Sequence, residues 1–220
     1  MFSTLIFALF CVTQTPPDNF PAEDHAWRRF KAGTWISNAL HIERAGNIVE
    51  TVQKQTLKEK AADDYAIEVT ESVRHGDDLP TRINRTSNGV FVGKETLTVD
   101  GKEVPCRISL SQGKRAEGET EYRYWMPEGN KVPLKVVFKQ PGMEGELVAV
   151  ALDEKVKVGE REYSCAKLKG KIKRGALEGT MTLWTTQEIP GAQARMELIL
   201  KDPNAETKIT MTPIEVHEEK

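Results

Sequence analysis

The chain has 220 residues, enough for one substantial domain or at most two small ones. Hydrophobic residues make up 39% and charged residues 29%, a balance too apolar for a disordered chain. With 31 basic against 33 acidic side chains the formal net charge is −2, which excludes nucleic acid as the main partner, because phosphate binding needs a clear basic excess.

The first twenty residues, MFSTLIFALFCVTQTPPDNF, hold the only strongly apolar run. Leu5 to Val12 is long enough for a signal-peptide core and too short to cross a bilayer. Residues 1–15 therefore read as a signal peptide, and the mature protein as exported, periplasmic or extracellular, and not membrane-spanning. Phe10 stands where a lipid anchor on Cys11 would want a small residue, so Cys11 leaves with the signal. Residues 16–33 read as a linker and a short helix: Pro21 suits a first helical turn, and Trp27 and Phe30 share a face.

From Thr34 onward the period changes to two. Ile36, Leu40 and Ile42 follow it loosely, and Tyr65, Ile67, Val69 and Val73 alternate with Glu68, Thr70 and Arg74, the pattern of half-buried strands. TVDGKE places Asp100-Gly101 between two alternating runs, the strongest short hairpin signal. KVGERE places Gly159-Glu160 at a corresponding point, and RAGNIV around Gly46 reads as a third, looser hairpin. No later segment keeps a helical period, so residues 34–214 are expected to form one all-β antiparallel domain, followed by a charged tail over 215–220.

Val99, Glu103, Cys106, Lys114, Arg115, Glu119 and Trp125 recur 59 positions later as Val158, Glu162, Cys165, Lys173, Arg174, Glu178 and Trp184. Cysteine and tryptophan are rare in this chain, and matching both at one offset points to an internal duplication. The repeats span about 89–139 and 147–201, each reading as four strands. Val104, Cys106, Ile108 and Leu110 share one face of the first copy. In the second copy the series starts at Tyr163 and Cys165 and passes to Ala166, Leu168 and Ile172, one residue out of step. That slip predicts a β-bulge just after Cys165. Lys167, Lys169, Lys171 and Lys173 then line a wet face, where they discourage edge-to-edge aggregation. Tyr122, Tyr124, Met181 and Leu183 read as inward, which turns Trp125 and Trp184 to the other face.

No catalytic constellation is present, so the chain reads as non-enzymatic, with no cofactor and no metal. His41 and Glu43 could share a strand face, but spacing offers no third ligand. Asp63-Asp64 and Asp77-Asp78 read as turn formers, and Asn84 of NRT as a chance glycosylation triplet. In a simple meander the strands of Cys106 and Cys165 lie four positions apart, about 19 Å at normal strand spacing, beyond disulfide reach. Both are expected as free thiols.

The stretches WRRFKAGTWISN and WTTQEIPGA resemble a set of uncharacterised exported bacterial proteins, which share a tryptophan after a Phe-x-x-Gly segment and a second one before a Val/Ile-Pro-Gly step. The resemblance covers Trp27 to Trp35 and Trp184 to Gly191. It implies a fold similar to the periplasmic lipoprotein-carrier (LolA-like) half-barrel, a strongly curved antiparallel sheet with a helical plug. The expected fold is thus a large curved sheet of about a dozen strands with one short N-terminal helix, a two-sheet sandwich being the alternative. The expected function is a binding or carrier protein for an apolar ligand, a lipid or acyl chain, on the hollow face, with Trp125, Trp184, Trp27 and Trp35 as candidate contacts. The alternative is a structural or protein-interaction module of the cell envelope, with an envelope protein as partner.

Overall fold

The computed structural model describes residues 27, 29–60, 64–73, 78–87, 90–115, 118–129, 132–202 and 205–219. The expected signal peptide and most of the expected N-terminal helix lie outside the described residues. Trp27 and Phe30 are inside them and form a turn, in which the Phe30 N–H donates to the Trp27 carbonyl at 3.0 Å.

Thirteen strands follow in chain order: β1 (Trp35–Arg44), β2 (Asn47–Lys60), β3 (Asp64–Val73), β4 (Asp78–Ser87), β5 (Val90–Val99), β6 (Lys102–Arg115), β7 (Gly118–Pro127), β8 (Lys135–Gln140), β9 (Met143–Val158), β10 (Arg161–Arg174), β11 (Leu177–Thr185), β12 (Gln193–Asp202) and β13 (Ala205–His217). They form one sheet in the order β4-β3-β2-β1-β13-β12-β11-β10-β9-β8-β7-β6-β5, and every neighbouring pair is antiparallel. The fold is all-β and a single curved sheet, not a sandwich.

Local chemistry explains most of the connections. Asp100 and Gly101 both take positive φ, 53° and 72°, the signature of the tight turn whose twist matches the flanking strands. Ala45 and Gly46 do the same, so the hairpin expected to be loose is a tight two-residue turn joining Arg44 to Asn47. The register of β10 on β9 shifts between Cys165 and Lys167 and again before Leu168, where the sequence predicts an irregularity, but the extra residues lie on β9. β10 keeps its alternation, so Cys165 and Lys167 share one face and Ala166 and Leu168 the other.

β4 and β5 stand at opposite ends of the sheet, yet only two residues separate them in the chain. Three Cα steps reach about 11 Å at most, so the two ends of the sheet must come back together at that point. β9 accordingly touches β5, β12 and β13 in addition to its hydrogen-bonded neighbours. The sheet is curled into a barrel-like shape, and no ladder joins β4 to β5 among the described residues.

Candidate functional site

Directly opposed residues on antiparallel strands share a face, so the inner surface can be read row by row. One row runs Val49, Ile42, Ile209, Leu198, Met181, Gly170, Leu147, Val136 and Tyr124 from β2 across to β7. The next runs Thr51, Leu40, Met211, Met196, Leu183, Leu168 and Ala149. Apart from Val49, Val136 and Leu183, which are half-buried, the apolar members of these rows are buried and, except for Tyr124, join one core cluster. Tyr124 and Met126 form a small separate cluster with Tyr122 and Val136.

On β1, β2 and β3 this surface changes character. Asn38, Gln53 and Glu71 stand in a row, with Thr51 and Gln55 flanking Gln53 on β2, and all five are buried. A void of about 10 Å³ lies beside Asn38 and Gln55, closed by Gln193, Met211 and the Pro190-Gly191 step. A larger cleft of about 480 Å³ lies where Lys173 faces Glu144 and Glu178 near the ends of β9, β10 and β11. Most of its lining side chains belong to the outward series, including Lys171, Thr180 and Lys201, so it is a charged outer groove and not the apolar hollow.

The tryptophans lie elsewhere. Trp125 is opposite Ile108 and Lys135, and Trp184 is opposite Lys167 and Arg195, which puts both on the outer face. The cysteines share that face: Glu95 opposes Cys106 on the β5–β6 hairpin, and Glu154 opposes Cys165 on the β9–β10 hairpin. The sequence reading had set Trp125 apart from the Cys106 series. The β6–β7 register instead aligns Ile108 with Trp125, and a one-residue difference in register moves a whole strand to the other face.

The two settings match closely. The Trp125 indole N–H donates to Glu95 Oε2 at 2.5 Å, and the Trp184 indole N–H to Glu154 Oε1 at 2.9 Å. Lys135 Nζ stands 4.7 Å from the centre of the Trp125 ring; Lys167 Nζ and the Arg195 guanidinium lie 5.0 and 5.1 Å from that of Trp184. Each cysteine thiol points to the carbonyl two residues back, Val104 and Tyr163. Glu95 and Glu154 are themselves 59 positions apart, a correspondence the sequence reading missed because glutamate is too common to stand out. Both cysteines are buried free thiols. Burial, aided by Glu95, pushes the Cys106 thiol up to about 11, and burial, aided by Glu188 and Glu154, does the same for Cys165.

The Glu154 carboxyl is held below its ordinary value, first by the Lys167 hydrogen bond and then by that of Trp184, against a smaller opposing effect of burial. A lowered folded-state value stabilises the fold above about pH 4.5, and that contribution is lost as pH falls through the folded value. Glu154→Gln is therefore expected to lie closer to the wild type in thermal midpoint at pH 3.5 than at pH 7. A gap that stays constant across this range would overturn the assignment.

The structure does not bring the four candidate tryptophans together. Trp27 is fully buried against the core, packed edge-on to Phe30 at 6.2 Å. Trp35 is half-buried, stacked on His217 at 5.6 Å with Lys54 Nζ 3.8 Å from its ring centre. His41 faces Glu50 at 3.6 Å in place of Glu43, and no metal-holding cluster of three occurs among the described residues.

No family model and no curated protein matches the sequence. Among solved structures, the chain is similar to a candidate exported protein of YmcC-like fold from Bacteroides fragilis, at 12% identity and a TM-score of 0.44 over 92% of this chain and 100% of that one. It is also similar to a candidate lipoprotein from Parabacteroides distasonis, at 13% identity and a TM-score of 0.46 over 85% of this chain and 96% of that one. A DUF1329 family protein from Desulfovibrio piger matches at 11% identity and a TM-score of 0.36, over 86% and 87% of the two chains.

Proposed function

We propose that this is an exported, non-catalytic binding protein that takes an apolar group, an acyl chain or similar, against the inner face of its curled sheet. The observation that carries the reading is an unzipped seam over a methionine-rich interior. Met181, Met196 and Met211 lie on three adjacent strands of the inner face, with Met196 and Met211 directly opposed. Methionine is unbranched and polarizable, so it re-packs around a guest more readily than a β-branched residue does. A guest lies against these side chains as the curl widens. Widening costs least at β4 and β5, where no backbone ladder has to break.

Methyl-labelled methionine tests the reading. Adding a long-chain amphiphile below its micelle concentration is expected to shift the NMR signals of Met181, Met196 and Met211. Unchanged methionine signals across fatty acids and monoacylglycerols would overturn it.

A second reading, a protein-interaction module of the envelope, has its own observation. Val90, Phe91 and Val92 are consecutive on the free edge strand β5 and are 65, 55 and 49% exposed. An open edge with apolar side chains is a template for an added strand. Silent methionine signals together with loss of a partner in Phe91→Lys would favour this reading over the first.

A further inference from the structure

The polar row on β1–β3 has no counterpart in what a packed apolar core requires. Asn38, Thr51, Gln53, Gln55 and Glu71 are all at most 4% exposed. Gln55 Nε2–H donates to Gln53 Oε1 at 2.8 Å, which uses one side of each amide. Among the described residues Asn38 Oδ1, Thr51 Oγ1 and Gln53 Nε2 have no hydrogen-bond partner, and neither has the buried Gln193 Nε2 across the void that Asn38 and Gln193 both line. A buried polar atom without a partner is costly, so several together on adjacent strands call for a partner from outside the chain.

We infer that this row is a head-group subsite, and that the ligand is a neutral, hydroxyl-bearing amphiphile. The inference rests on the apolar-interior reading above. The unpartnered atoms are complementary to such a head: Asn38 Oδ1 accepts from a hydroxyl, Gln53 and Gln193 donate to an ester or hydroxyl oxygen, and Thr51 does either. Leu40 and Met211 share the row of Thr51, and Leu40 is two residues from Asn38 on the same face of β1; they continue into the methionine-lined surface where an acyl tail would lie. Among the described residues the row contains no basic side chain, and it includes the Glu71 carboxyl opposite Gln53, so a neutral head suits it better than an anionic one. A site built from buried polar groups rejects a ligand that leaves them unpaired, which makes the row a selector as well as an anchor.

The experiment compares monoolein with oleate, which share one acyl chain and differ in the head, by titration of the methionine-labelled full chain. Monoolein is expected to bind at least tenfold tighter than oleate. Thr51→Val and Asn38→Leu are each expected to weaken monoolein at least tenfold and to leave oleate within twofold. Thr51→Val is nearly isosteric and removes an unpartnered hydroxyl, so its thermal midpoint without ligand is expected to rise; dispersed methionine signals verify that each variant is folded. Oleate binding as tightly as monoolein, or either variant binding monoolein like the wild type, overturns the subsite and leaves the apolar interior standing. If neither amphiphile moves any methionine signal, the interior reading itself has failed.

Discussion

Trp184→Ala is expected to destabilise the protein by about 3–5 kcal/mol, the usual range for deleting a buried indole. For a chain of this size that lowers the thermal midpoint by about 10 °C. The side chain is 6% exposed, belongs to the main core cluster and is flanked by Lys167 and Arg195. Its N–H is one of two donors on Glu154, the other being Lys167 Nζ at 2.8 Å. Alanine removes the apolar area, opens a cavity and takes one hydrogen bond from the carboxylate. Trp184→Phe keeps a ring between the cations and loses mainly the hydrogen bond, worth about 1.5–3 kcal/mol when the acceptor is charged. Urea unfolding of both variants checks the order. Equal losses for Phe and Ala would mean that the hydrogen bond, not packing, holds this corner of the sheet.

Gly170→Ala is the second large effect, with an expected loss of about 3 kcal/mol or more, beyond the usual cost of overpacking because backbone must move. Gly170 sits on the inner face of β10, between Leu147 of β9 and Met181 of β11. A Cβ there would run into the carbonyl oxygen of Glu146, and 2.8 Å from the Leu147 Cα, with no flexible side chain to turn aside. Relief requires β9 and β10 to separate, at the point where both contribute core residues. Gly93 is the control: a Cβ added there meets nothing closer than the Ile108 Cδ1 at 4.0 Å. Gly93→Ala is expected to leave the unfolding midpoint within about 0.5 kcal/mol of the wild type. If Gly170→Ala behaves like Gly93→Ala, the close approach of β9 and β10 is not as described.

The paired settings of the two tryptophans bear on both expectations. Trp125 has the same hydrogen bond as Trp184 and a single lysine on its ring. Trp125→Ala is therefore expected to follow Trp184→Ala in direction and to be somewhat smaller. We propose that the two four-strand units descend from one, since Glu-Cys-Trp recurs at a common offset with the same Glu–Cys pairing and the same indole–carboxylate hydrogen bond, not merely in sequence.

Local chemistry wrote much of this fold into the sequence. Asp100-Gly101 and Gly159-Glu160 announce their hairpins because a tight turn needs positive φ at particular positions, whatever lies far away. The irregularity beside Cys165 is legible as a place, but β9 supplies the extra residues, so the change from Cys165 to Ala166 is a change of buried face and not a slip of β10. The antiparallel order within β1–β4 and within β5–β13 follows from such signals, one hairpin after another. Tertiary structure alone decided what depends on residues far apart in the chain. The β1–β13 ladder pairs Trp35 with His217, and no local pattern encodes a partner that distant. Asn38 already stands opposite Gln53 in the local β1–β2 hairpin, but only the long-range closure sets this polar pair next to Gln193 and buries it. The face shared by Cys106 and Trp125 was likewise set by strand register, a property of two strands that neither carries by itself.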